Sequence, residues 1–213
     1  MQRIFSLIPF ILGPMCFADS AHPVLTVALD IRGAISQTTL QEMQREIRKA
    51  LYATGHAVEF QFRSEIQSHQ TFEELIVVQL KGRCEMDQAP LAFDERGPDA
   101  LAYTHSTDGE ILPFAEVSCD RLRSSIRTAM WGDDFKRGDM LFGRAIGRVL
   151  SHEFFHILAR TPGHGKKGIA KRSLSAAQLI SDELRFSDED ADLVRVRARL
   201  ASSPKYPIQT DLP

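Results

Sequence analysis

His152-Glu153-Phe154-Phe155-His156 is the stretch on which the reading of this 213-residue chain turns. On an α-helix, residues four apart lie about 40° apart round the axis, so the two imidazoles face one way and can share a metal ion. Chance alone yields such a string in about one or two of every hundred chains of this composition, so the surrounding helix has to carry the reading. That helix is predicted from Met140 to about Arg160, with Asp139 as its cap. Val149, Phe142, Ile146, Ile157, Leu150, Phe154 and Leu158 cover more than half of its circumference, as in a helix that runs through a core. Arg144, Arg148, His152 and His156 form one polar stripe, which predicts a wet cleft floor. The arginines are expected to be solvated or structurally paired more than to hold a substrate carboxylate. Glu153 lies about 100° round from His152, between Val149 and Ile146, where a carboxylate needs a partner. A water polarised by a metal cation would be one, and Glu153 would take its proton.

Tetrahedral catalytic zinc takes a third protein ligand and leaves the fourth position for water. His164 follows the break at Thr161-Pro162-Gly163, from which the chain can fold back under the metal. Glu183, on the next predicted helix, would instead complete a site of two histidines and one glutamate, and Asp188 or Asp190 is a less favoured choice. His164 leads, since neutral imidazole is a common zinc ligand and Gly165 gives the backbone freedom. The expected set is therefore Zn2+ on His152, His156 and His164, with Glu153 as general base.

Outward from this helix, composition is ordinary for a globular chain, with 43% hydrophobic and 25% charged residues, and it excludes disorder as the main state. The length suits one core-bearing domain, taken as residues 19 to 213. Lys+Arg 26 against Asp+Glu 28, with no long block of like charge, gives no footprint of a nucleic-acid binder. The apolar run Ile4 to Leu12 follows Arg3 and is broken by Gly13-Pro14, too short to span a bilayer. With Cys16-Phe17-Ala18 behind it, it reads as a signal peptide of residues 1 to 18 cleaved after Ala18, hence a secreted or periplasmic protein with no membrane anchor afterwards. Cys84 and Cys119 then remain outside the reducing cytosol, each after a predicted strand, and are expected to form one disulfide.

Upstream, Val24 to Leu29 reads as a strand, and Thr38 to Ala53 as a helix whose start carries Thr38 and Gln41 as a capping pair. Ala57 to Arg63 alternates like an outer strand, and Leu75 to Leu80 is nearly continuous apolar like a buried one. Leu101 to Tyr103 and Ile111 to Val117 flank the turn cluster Ser106-Thr107-Asp108-Gly109, with Pro113 marking an edge or a bulge. Helices are expected over Asp120 to Met130, Ser173 to Leu184 and Ser187 to Ala201. His22, His56, His69 and His105 are scattered singly and read as surface residues, and Trp131 with Phe135 as hydrophobic packing.

On the motif at 152 to 156, the element order before it and the helices after it, the sequence resembles the zincin metallopeptidases, and within them the metzincins, whose chain turns at a glycine to deliver a third histidine. Ala159 stands where that glycine would be, His164 comes two residues late, and no methionine follows Met140, so Gly168-Ile169-Ala170 would take the place of the methionine turn. The resemblance implies a zincin-like α+β fold, with a mixed β-sheet upper lobe, an active-site helix and a small helical C-terminal lobe. It further implies a zinc endopeptidase acting on a peptide or protein substrate. An oxyanion would be steadied by an arginine, a tyrosine (Tyr103 or Tyr206) or a backbone N–H. A catalytically inactive protein of the same fold, serving as a binding or scaffold module, is the competing class.

Overall fold

The β-branched run from Val24 pairs on both sides and becomes the second strand of a five-stranded sheet. A computed structural model describes residues 23–86 and 100–202; the expected signal segment, His22 and Tyr206 lie outside the described residues. The strands are β1 (Val24–Arg32), β2 (Ala57–Phe62), β3 (Glu74–Lys81), β4 (Ala102–Thr107) and β5 (Glu110–Ser118). Their order is β2-β1-β3-β5-β4, parallel throughout except for β4, which runs antiparallel to β5 at the sheet edge. The β4–β5 turn uses Asp108 and Gly109 at positive φ, the conformation that a tight hairpin demands. Pro113 sits in the irregular stretch where Leu112, Pro113 and Phe114 face His105 alone, and pairing with β3 begins only at Phe114. A bulge there leaves no N–H required of the proline.

The helices are α1 (Gln37–Tyr52), α2 (Cys119–Arg127), α3 (Gly138–Ala159), α4 (Ala176–Ile180) and α5 (Asp188–Ser202). The result is a mixed sheet with flanking helices and a C-terminal helical segment, a generic α+β architecture. No helix among the described residues is long and apolar enough to cross a membrane. Helix α3 packs against α1, where Gly143 and Gly147 permit near contact of the backbones: a methyl at Gly143 would overlap the Thr39 carbonyl oxygen. Cys84, just beyond β3, and Cys119, opening α2, are disulfide-bonded with their Cα atoms 5.1 Å apart.

Several local expectations are corrected. Ser36, not Thr38, caps α1, its hydroxyl accepting from Thr39 N at 3.1 Å. Asp139 lies inside the first turn of α3 and accepts from Met86 N, 53 residues away, at 2.6 Å. His56 is buried, because the turn after α1 folds it against the Thr54 hydroxyl at 2.8 Å and Glu74 at 3.4 Å. Trp131 and Phe135 do not pack inward; Trp131 precedes and Phe135 lies within a 3-10 turn at Gly132–Arg137, and they are 80% and 50% exposed.

The polar stripe of α3 is dry over its first half. Arg144 and Arg148 are buried, and face Glu42 at 3.4 Å and Glu46 at 3.2 Å on α1. The far side of each guanidinium binds backbone carbonyls: Arg148 takes those of Gln178 (2.7 Å) and Leu179 (3.2 Å), and Arg144 those of Ile180 (3.0 Å) and Ser181 (2.9 Å). The orphan carbonyls at the end of α4 thus find donors in the arginines, which are themselves neutralised by α1. The helix expected to reach Leu184 stops at Ile180, where Ser181 leaves the helical conformation and the arginines satisfy the terminal carbonyls. Because Arg148→Met leaves Glu46 buried with less compensation, it should lower stability by about 3–5 kcal/mol in urea unfolding, and Arg148→Met with Glu46→Leu should recover part of the loss.

Candidate metal centre

Helix α3 brings His152 and His156 together one turn apart, with ring centroids 4.9 Å apart and the rings nearly perpendicular. Each ring is held from behind. His152 Nδ1 lies 2.8 Å from the Ile169 carbonyl oxygen, and His156 Nδ1 lies 2.7 Å from that of Thr161. A carbonyl oxygen only accepts, so both Nδ1 atoms carry a proton, and any lone pair left for a metal lies at Nε2. These two Nε2 atoms are 3.2 Å apart. Lone pairs at that distance repel unless a cation lies between them or one ring is protonated. Two nitrogens on a tetrahedral zinc at about 2.0–2.1 Å would be about 3.3 Å apart. The donor pair therefore fits a metal in both protonation and spacing.

His164 completes the cluster. Arg160 ends α3 in the left-handed region (φ 49°), and the chain swings round to set the His164 ring 4.8 Å from His156 and 5.3 Å from His152, centroid to centroid. The ligand atoms of His152, His156 and His164 all lie within 4.8 Å of one another, so the three can hold a metal ion. The loop is closed by Gly165 N donating to Ala170 O at 2.8 Å and by Ile169 N donating to Arg185 O at 3.1 Å. Gly168 adopts φ 73°, and a side chain there would strike the Arg185 carbonyl. Gly168-Ile169-Ala170, expected below the metal, contributes the Ile169 carbonyl that orients His152. Glu183 is exposed and pairs with Arg185 at 3.1 Å, away from the histidines. Asp190 is buried against Gly165, with its carboxylate taking the Ser187 hydroxyl, and so supports the loop.

Glu153 is 7% exposed on the same helix. Its structural partner was not foreseen from the sequence: Thr104 on β4 donates from Oγ1 to Glu153 Oε2 at 2.7 Å. Nothing in an isolated threonine announces such a role, and the Ile169 and Thr161 carbonyls have no side-chain signature at all. Burial pushes the Glu153 carboxyl above the usual carboxylate range, opposed by the Thr104 bond and by His156 and His164. Desolvation holds His152 below the usual imidazole range, and His156 adds to this. His164 is held low by desolvation, then by His156, His152 and Arg172. Tyr103 pairs with Glu116 across the β4–β5 ladder, where burial and then Glu116 raise its hydroxyl to about 12, and it is also among the residues that line the cavity over the cluster. A cavity of about 660 Å³ lies over the cluster, with Leu101, Val149, Leu174 and Leu179 among its apolar lining and Lys171 and Arg172 at its border.

Compared with known protein families and with curated proteins, the chain matches none.

In metal-free protein, His152 and His164 stay neutral in the fold while the unfolded chain takes up protons near 6.5. Their contribution to stability is thus complete above that pH and is lost as the pH falls from 6.5 to the lower folded values. Glu153 acts in the opposite sense, since its ionisation opposes folding as pH rises from 4.5 to its higher folded value. Thermal melts of metal-free protein across this range should therefore show a loss on the acid side that His152→Ala or His164→Ala reduces. Zinc at about a thousand times its dissociation constant should add about 4 kcal/mol, a gain that His164→Ala shrinks and Glu183→Ala leaves intact.

Proposed function

We propose that this chain is a zinc-dependent peptidase of zincin-like fold, with His152, His156 and His164 as metal ligands and Glu153 as general base and acid. The observation that supports it most is the pair of imidazoles whose Nδ1 protons are committed to carbonyls while both Nε2 atoms face one point beside a buried carboxylate. When bound there, zinc would supply Lewis acidity towards a carbonyl oxygen and lower the pKa of a water. Glu153 takes a proton from the attacking water and returns it to the leaving amine. Thr104 holds one carboxylate oxygen, so the other is left to face the cleft. Burial raises the affinity of Glu153 for the proton it must carry, which suits a group that is base first and acid afterwards. The edge position of β4 leaves main-chain groups beside the cleft against which an extended peptide can lie. The Cys84–Cys119 disulfide supports an exported protein in an oxidising compartment, in keeping with the leader read in residues 1 to 18.

Purified protein loaded with zinc should hydrolyse unstructured polypeptides, and Glu153→Gln should reduce the rate by about 10²–10⁴-fold while one zinc per chain stays bound by metal analysis. Zinc binding without hydrolysis in the native protein would favour the scaffold reading instead.

A further inference from the structure

The loop that delivers His164 is basic in a way that net charge conceals. Residues 160 to 172 contain Arg160, Lys166, Lys167, Lys171 and Arg172 and no acidic residue, in a chain whose formal charge is -2. Elsewhere Arg32, Lys81, Lys136, Arg137 and Arg185 each pair with a carboxylate. Among the described residues, Lys166, Lys167 and Arg172 have no such partner and are exposed, and Lys171 is held only by the Gln178 side-chain oxygen at 3.0 Å. Lys171 and Arg172 border the same cavity as His152, Glu153 and His164. Asp108 and Glu110 line a neighbouring cavity at the hairpin tip together with Arg160, and Asp190 is buried against Gly165 with its carboxylate taking the Ser187 hydroxyl. Lys171 and Arg172 thus place positive charge on a cleft whose lining also includes the apolar Leu101, Val149, Leu174 and Leu179. Unpaired guanidinium and ammonium groups at the border of a low-dielectric cleft attract carboxylates more strongly than the same groups on open surface.

Building on the peptidase reading, we infer that the loop from 160 to 172 is the specificity element of this cleft and selects peptide segments that carry carboxylates beside an apolar residue. Arg172 and Lys171 meet the carboxylate next to the apolar pocket, and Lys166 and Lys167 draw in further acidic residues along the loop. The carboxylate can belong to an acidic side chain or to a free peptide C-terminus.

Binding, measured by fluorescence anisotropy on the full chain carrying Glu153→Gln, with and without zinc, requires no cleavage. Three labelled peptides share an apolar centre: one rich in glutamate with an amidated end, its glutamine analogue with the same end, and that analogue with a free carboxyl end. The glutamate peptide should bind about ten-fold more tightly than the amidated glutamine analogue at low salt, with the difference shrinking as salt is added. If only the free-ended analogue gains, the carboxylate read is the C-terminal one. Either preference should fall to near unity in Lys166→Gln/Lys167→Gln/Arg172→Gln, three exposed positions at which an unchanged melting temperature verifies the fold. Equal affinity for all three peptides, no binding of any, a preference undiminished in the triple variant, or tighter binding of a single-stranded oligonucleotide would each overturn the inference. Carboxylate-dependent binding without hydrolysis by the native protein would sink the peptidase reading alone, and hydrolysis with no preference would sink the inference alone.

Discussion

Two imidazoles one helical turn apart, each with Nδ1 tied to a carbonyl, form the constraint around which the rest is arranged. Without the Ile169 and Thr161 carbonyls, the rings could rotate or exchange tautomers, and a shared point for two lone pairs would exist only part of the time. Both carbonyls come from the segment that leaves α3, so the same loop that supplies His164 also orients the two histidines before it. A left-handed Arg160 and a left-handed Gly168 bend that loop, and Asp190 and Arg185 brace it.

A helix carrying such a cluster must be rigid, and α3 is held on two sides by opposite kinds of contact. Towards α1 it is bare, with Gly143 and Gly147 letting the backbones meet. Beside that seam, Arg144 and Arg148 enter the interior, where each would be costly alone. Glu42 and Glu46 balance their charge, and the carbonyls around α4 accept from Nη1 of each arginine, while Arg148 Nη2 is buried with no hydrogen-bond partner among the described residues. One network thereby ties the first helix, the histidine helix and the C-terminal segment together, and fixes the wall of the cleft that contains Leu179.

The sheet edge closes the other side. On β4, Thr104 turns towards Glu153 while Tyr103 pairs with Glu116. A buried carboxylate with one oxygen satisfied and a raised proton affinity is a group prepared to exchange a proton, and it is the edge strand that prepares it. The cationic loop and this strand both line the cavity, so the cleft combines charged groups with an apolar lining.

What the sequence determined by itself is what depends on local periodicity: the helix through residues 152 to 156, the common face of its two histidines, the strands β1, β3 and β5, the hairpin turn at Asp108-Gly109, and the nearness of His164 to a chain break. These follow from bond geometry and the spacing of apolar residues, which need no distant partner. Long-range contacts decided the rest. Arg144 and Arg148 read equally well as a wet stripe until α1 placed two glutamates against them, and His56 read as a surface residue until Glu74 came from another strand. Helix α4 ends at Ile180, with two guanidiniums from α3 satisfying its terminal carbonyls. Thr104, and the backbone oxygens of Thr161 and Ile169, carry no pattern that a linear reading could detect. Their roles exist only because hydrogen bonds across 49, 5 and 17 residues of sequence come to one place in the fold.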